Sequence, residues 1–272
     1  HLMTRYVFIP LSGPVILFEY PKCEFIYENN CTIDEVRQVI HWDHFSWGDK
    51  VSLKALEWSK TVNDLMKKYC SHNNNLAIDV CDPAGINALK DNYKYKLINA
   101  QKFLEIARSI KSEDEITCLK AAVKVAEMGF LKMHEKLQAN MTEEELWAHF
   151  HKVNIENGGE WFETRLLSSG PRTNPWFQEC SNRIIQKGDL VAFDSDMVGP
   201  YGYCADISRT FVEGGKLNDE QQRLHDLAFE NISHNEQLIK PGLNFREFAE
   251  KAWRLPDNCF DNHYPCQVHG LG

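Results

Sequence analysis

The sequence predicts a mixed α/β protein of two domains, and three observations carry that reading. Short apolar runs alternate with helical periodicities over residues 1–111, the pattern of a small α/β domain. Two long helices, each opened by its own capping signal, come next. A strand pair loaded with aspartates follows them, in a second domain running from 112 to 272. The 272 residues, 43% of them hydrophobic and 11% aromatic, are enough for two packed cores.

Charge and cysteine usage exclude several function classes. Lysine and arginine number 30 against 39 acidic residues, a net charge of −9, and general nucleic-acid binding needs a basic stripe instead. Apolar runs all fall short of a membrane span, and the N-terminus shows no basic-then-apolar secretion signal. Nine cysteines, odd in number and without a CxxC pair, fit reduced thiols in a cytoplasm better than a disulfide framework. The chain opens at His1 and closes at His269-Gly270-Leu271-Gly272, inside what reads as a loop, so it is read as truncated at both ends.

In the first domain, Tyr6–Ile9 and Val15–Phe18 flank Pro10 and Ser12-Gly13-Pro14, a hairpin signal. Leu53, Leu56, Val62, Leu65 and Met66 recur at helical spacing, and Ser71–Asn75 closes that helix. Leu76–Val80 reads as a buried strand. Asp82-Pro83 opens a short helix through Leu89, with Asp as cap and Pro in the first turn. Tyr95–Asn99 is a further strand and Phe103–Ile110 a further helix. His41 and His44 stand at a chelating spacing, but without a second ligand cluster they read as surface or interface residues.

The second domain starts with Ser112 and Glu115, a capping box. Ile116, Leu119, Val123, Ala126, Phe130, Met133 and Leu137 then follow in steps of three and four, one buried stripe. Thr142 and Glu145 form a second box over Glu143–Asn154, and Gly158-Gly159 ends that helix. The charged residues on these helices read as solvated faces. In Glu160–Glu179, Trp161, Phe162, Trp176 and Phe177 bracket a Ser-Gly-Pro-Arg turn; such aromatics either join a core or wall a pocket for a cation. Asn218–Ile239 and Asn244–Arg254 are two later helices, and the tail carries His263, Tyr264 and His269.

The chemistry concentrates in Val191–Phe211. Leu190–Phe193 is an apolar strand ending in Asp194, and Ile207–Val212 is a second strand that carries Asp206 back beside it. Asp196, two positions after Asp194, is placed on the same face by strand alternation. Three carboxylates so close repel, and divalent metal is the usual remedy. His269, before Gly-Leu-Gly, is a further ligand candidate, since neutral imidazole suits a borderline metal.

These residues resemble a known family. Gly188-Asp189-Leu190-Val191, Asp194, Tyr201-Gly202-Tyr203 and Asp206–Phe211 resemble the metal core of the pita-bread enzymes, which include creatinase, prolidase, aminopeptidase P and methionine aminopeptidase. Ile110-Lys111-Ser112 with Glu115-Ile116, and Met141-Thr142-Glu143 with Glu145-Leu146, resemble that family's first two catalytic-domain helices. His269–Gly272 resembles its histidine motif. The resemblance implies a small creatinase-like N-terminal domain (1–111) and a pita-bread domain (112–272). It also implies a dinuclear site built from Asp, Asp, His, Glu and Glu. Asp194, Asp206 and His269 match the first three, and the two glutamates would follow Gly272.

Two departures from the family's peptidases stand out. Asp196 occupies a place those enzymes usually give to Gly. Trp176 or Phe177 stands where they usually keep a substrate-binding histidine. Both departures resemble the dimethylsulfoniopropionate lyase branch. That resemblance implies cleavage of dimethylsulfoniopropionate to dimethyl sulfide and acrylate, with two divalent ions, iron before manganese, zinc or cobalt, and a homodimer without nucleic-acid or membrane partners. The expected metal ligands are Asp194, Asp196, Asp206 and His269, and the expected substrate residues are Trp176 and Tyr264. The base, an aspartate after the histidine motif in that branch, would lie beyond Gly272, so this chain alone is expected to be inactive. The competing expectations are an Xaa-Pro metallopeptidase of the same fold and a binding module that has lost its metal.

Overall fold

The computed structural model describes residues 5–264 and 266–271; Gly272, the last residue of the histidine motif, lies outside them. The chain forms two compact units, one ending at Ala107 and the other beginning at Arg108.

In the first unit, β1 (Tyr6–Phe8) pairs antiparallel with β2 (Ile16–Glu19), as the Pro/Gly-punctuated hairpin predicts. Strand β3 (Glu35–Gln38) adds parallel to β2. A short helix α1 (His44–Trp47) leads into α2 (Val51–Tyr69), whose apolar face supplies Ala55, Trp58, Val62 and Met66 to a core completed by Trp42 and Leu89. His41 and His44 hold no shared ligand geometry: His41 pairs with Asp43 at 2.6 Å, and Asp43 caps α1 through Ser46 N. Strand β4 (Asn75–Ile78), helix α3 (Pro83–Asn92), strand β5 (Lys96–Asn99) and helix α4 (Gln101–Ser109) follow, with β4 and β5 parallel. Asp82 caps α3 by accepting from Gly85 N at 2.8 Å. It also accepts from the indole N–H of Trp42, which ties the cap to the core.

The second unit begins with α5 (Glu113–Lys136) and α6 (Glu143–Glu156). Both capping boxes are complete, side chain to backbone in each direction. The helices pack closely because Gly129 admits the Phe150 ring: a Cβ on Gly129 would sit 2.1 Å from it. The buried stripe of α5 starts later than its periodicity suggests. Ile116 is 40% exposed, whereas Ala122, Val125, Ala126, Phe130 and Met133 are buried.

Strands β6 (Trp161–Phe162) and β7 (Leu167–Ser169) precede β8 (Leu190–Asp194), the middle strand of a sheet ordered β11-β8-β7 once β11 (Ser208–Val212) returns. Between β8 and β11, β9 (Met197–Val198) and β10 (Cys204–Ala205) form an inner hairpin, with β6 on the far side of β9. Val191 and Phe193 point into the core against Phe130 and Phe150 and are fully buried. Helices α7 (Asp219–Leu238) and α8 (Phe245–Lys251) follow, and a 3-10 turn over Asp257–Asn262 leads into the tail that carries Tyr264 and His269. The expected helix 244–254 stops at Lys251. Ala252 leaves the helical region, and the freed N–H of Trp253 donates to Asn235 Oδ1 on α7 at 2.8 Å.

Candidate metal centre

Asp194 is the last residue of β8, opposite Ser208 of β11. Its backbone N–H donates to Leu166 O at 2.9 Å, and its carboxylate accepts from Ser195 N at 2.9 Å. Ser195 is fully buried and sets the position of the second acid. Its hydroxyl donates to Ala205 O and accepts from Ile207 N, both at 2.8 Å. Those two groups flank Asp206, so one hydroxyl holds the backbone on either side of that carboxylate.

Asp196 reaches the site by a route that strand alternation does not describe. Strand β8 ends at Asp194, and Asp196 turns at φ +35°, in the left-handed region that Asp tolerates better than most residues. Glu163 N donates to its carbonyl at 3.0 Å, and the Thr164 hydroxyl donates to its carboxylate, so the turn is held by the two residues that follow β6. The outcome matches the expectation although the mechanism differs: one ligand atom from each of Asp194, Asp196 and Asp206 lies within 4.8 Å of the others.

His269 joins this group, with Nε2 3.2 Å from Asp206 Oδ2. Its Nδ1 is 3.0 Å from Gly270 O. If Nδ1 carries the hydrogen toward that carbonyl, Nε2 presents a lone pair to a carboxylate oxygen, and only a proton or a cation makes the contact favourable. Atoms that each bind one ion at about 2.0–2.2 Å stand about 3 Å apart, so the spacing suits shared coordination.

The electrostatics agree. Burial, then the charge and hydrogen bond of Asp206, then the charge of Asp196, push the Asp194 carboxyl up to about 6 against the pull of Ser195 N–H. Among the described residues lining the cavity there is no lysine or arginine to offset the three acids. Carboxylate oxygens with one imidazole make a donor set that fits a divalent cation.

These acids form one wall of a cavity of about 750 Å³, within the range of small-molecule sites. Trp176, Phe177 and Tyr264 line it too. Phe177 turns at φ +72°, an unusual backbone for a bulky residue, and stacks on Tyr264 with ring centroids 5.6 Å apart. Trp176 thus stands at the cavity as expected, while the Tyr264 ring is engaged with Phe177.

The model of metallopeptidase family M24 matches residues 117–272. The chain belongs to metallopeptidase family M24. It is 34% identical, over its whole length, to the dimethylsulfoniopropionate lyase DddP of Roseovarius nubinhibens, and 32% identical to the enzyme of that name from Roseobacter denitrificans. It spans 62% of the length of each of these relatives. A prolidase from Pyrococcus horikoshii superposes with a TM-score of 0.69 at 23% identity, covering 90% of this chain and 64% of that one. This M24 chain therefore has the mixed α/β pita-bread fold expected from its sequence.

Three residues of this region escape sequence reasoning. Thr164 and Ser195 carry no motif, because each acts through a partner more than nine positions away. Glu143, read above as part of a solvated helix face, has a side chain that is 0% exposed. It sits in the first turn of α6, where an acidic residue is ordinary, and that hides its burial.

Proposed function

We propose that this chain is the larger part of a metal-dependent lyase that splits dimethylsulfoniopropionate into dimethyl sulfide and acrylate. The observation that carries the reading is one cavity with two unlike walls. Asp194, Asp196, Asp206 and His269 form an acidic wall, and Trp176 with the Phe177–Tyr264 stack forms an aromatic one. With metal held by the acidic wall the substrate fits both walls, its carboxylate toward the metal and its sulfonium toward the aromatic rings. The likeness to the two lyases over the whole chain supports the same substrate.

Asp194, Asp196, Asp206 and His269 would hold the metal, two divalent ions in the proposed holoenzyme and iron as the proposed element. Bound there, the metal supplies Lewis acidity to the substrate carboxylate and stabilises negative charge developing beside it. The face of Trp176 attracts the sulfonium, an interaction worth about 0.5–2 kcal/mol depending on desolvation. Phe177 and Tyr264, stacked on each other, line that end of the cavity. In the reaction the proton α to the carboxylate leaves to a base and the C–H pair becomes the C=C bond of acrylate. The β carbon–sulfur bond breaks, its electron pair going to sulfur, and dimethyl sulfide departs. The resemblance implies an aspartate base after the histidine motif, outside this chain.

The domain assignment proposed with this function is a creatinase-like domain over 1–111 and a pita-bread domain over 112–272. A cytoplasmic homodimer is proposed with it, the cytoplasm on the strength of nine scattered cysteines. Among the described residues no helix is long and apolar enough to cross a membrane.

The second reading, an Xaa-Pro peptidase, is favoured by the prolidase-like fold. Against it, His269 is the one imidazole among the described residues lining the cavity. A peptidase lacking a second donor to its tetrahedral intermediate gives up a factor of about 10²–10³ in rate. Metal analysis tests the ligand set: Asp206→Ala in the full-length protein is expected to lower bound metal by more than about half. Unchanged metal content would remove Asp206 from the site.

A further inference from the structure

Glu143 accepts hydrogen bonds from three points of a single loop. Its Oε1 takes Ser169 N at 2.8 Å and Ser169 Oγ at 2.7 Å. Its Oε2 takes Ser181 N at 3.1 Å, Ser181 Oγ at 2.8 Å and the Arg172 guanidinium. Ser169 and Ser181 are the two feet of the loop, and Arg172 lies inside it. Arg172 Nη2 also donates to Glu179 O at 3.0 Å, and Gln178 Nε2 ties Arg172 O to Pro175 O, at 2.9 Å each. A second ion pair extends the network: Arg183 Nη1 donates to Asp189 Oδ2 at 2.6 Å and to the Ser169 hydroxyl. The chain of contacts runs Asp189–Arg183–Ser169–Glu143–Arg172. The tip of the loop is Trp176-Phe177, the aromatic wall of the acidic cavity.

Burying a carboxylate and its guanidinium partner rarely stabilises more than a well-packed apolar pair would. A fully hydrogen-bonded network does fix one geometry. We propose that Glu143 is a positioning residue. Acting through Ser169, Arg172 and Ser181, it holds Trp176 in the cavity that the acid cluster lines, where a short zwitterion with a carboxylate and a sulfonium would meet both. This rests on the lyase reading for the identity of the substrate, but the placement of Trp176 does not.

The test uses the full-length, metal-loaded protein with Glu143→Gln, which keeps the side chain's shape, and Ser181→Ala, which removes one hydroxyl and remains informative if the first variant fails to fold. Two quantities are read for each. One is acrylamide quenching of Trp176, taken as the difference from Trp176→Phe. The other is KM and kcat for dimethylsulfoniopropionate, with metal content as a control. The expected result is a Trp176 quenching constant raised by about twofold or more and KM raised by about tenfold with Glu143→Gln. Bound metal should be unchanged, and the KM effect should vanish in a Trp176→Phe background. Unchanged quenching overturns the proposal, as does a KM effect of equal size in the Trp176→Phe background. If the unsubstituted protein releases no dimethyl sulfide, the lyase reading fails by itself. Quenching then decides the positioning role: a rise supports it and no change overturns it.

Discussion

Asp194 is a carboxylate held half-buried beside two others, and its ionisation is the most direct local signature of the site. Its carboxyl is lifted from an ordinary value near 3.8 to about 6, chiefly by burial and Asp206. The sign of the consequence is fixed by linkage. Between those two values the folded metal-free chain holds a proton that the unfolded chain has lost, so stability falls as pH rises through the window. A shift of this size corresponds to about 1–3 kcal/mol once partial solvent screening is allowed for. Metal-free protein is therefore predicted to melt at a higher temperature near about pH 5 than near about pH 8. Asp194→Asn should remove most of that difference. A melting temperature equally pH-dependent in the variant would show that another group is responsible.

At the scale of elements, β8 and the inner hairpin that follows it place the acids, and Ser195 is the joint between them. Ser195→Ala strips a donor from Ala205 O and an acceptor from Ile207 N in a buried setting, which is predicted to destabilise by about 1–3 kcal/mol. Denaturant unfolding measures this. A loss below about 0.5 kcal/mol would mean that water or a backbone shift replaces both bonds. Elements governed by local chemistry were legible in the sequence. The boxes at Ser112 and Thr142 each need only residues three apart, and both form. The return of a second strand beside β8 was legible in two apolar runs, whereas the register that sets Asp194 opposite Ser208 was not. Asp196 lies beside Asp194 for a reason that strand alternation does not contain: the left-handed turn that carries it depends on Thr164 and Glu163, some 32 residues upstream. Glu143 was not legible at all, because its burial is decided by donors at 169, 172 and 181, and no local pattern encodes those distances. The end of α8 was missed for the same reason, since Asn235 draws Trp253 out of the helix.

At the scale of the whole molecule, two features matter. One is the cavity that joins a charged wall to an aromatic one. The other is apolar surface on α7, where Leu224, Phe229 and Ile232 are 43%, 66% and 66% exposed and no residue is buried. Strand β11 is an edge of its sheet, with Ser208–Thr210 exposed. A polypeptide of residues 1–272 alone presents both surfaces to solvent and is predicted to self-associate. Light scattering that reports a monodisperse monomer at about 100 μM would contradict this. The two-walled cavity is the proposed seat of the lyase chemistry. Headspace detection of dimethyl sulfide tests it most directly, after dimethylsulfoniopropionate is supplied to the iron-loaded, full-length protein. Dimethyl sulfide that is lost with Asp194→Ala is the expected result; its absence from a folded, metal-loaded protein that instead cleaves Xaa-Pro dipeptides would exclude the lyase.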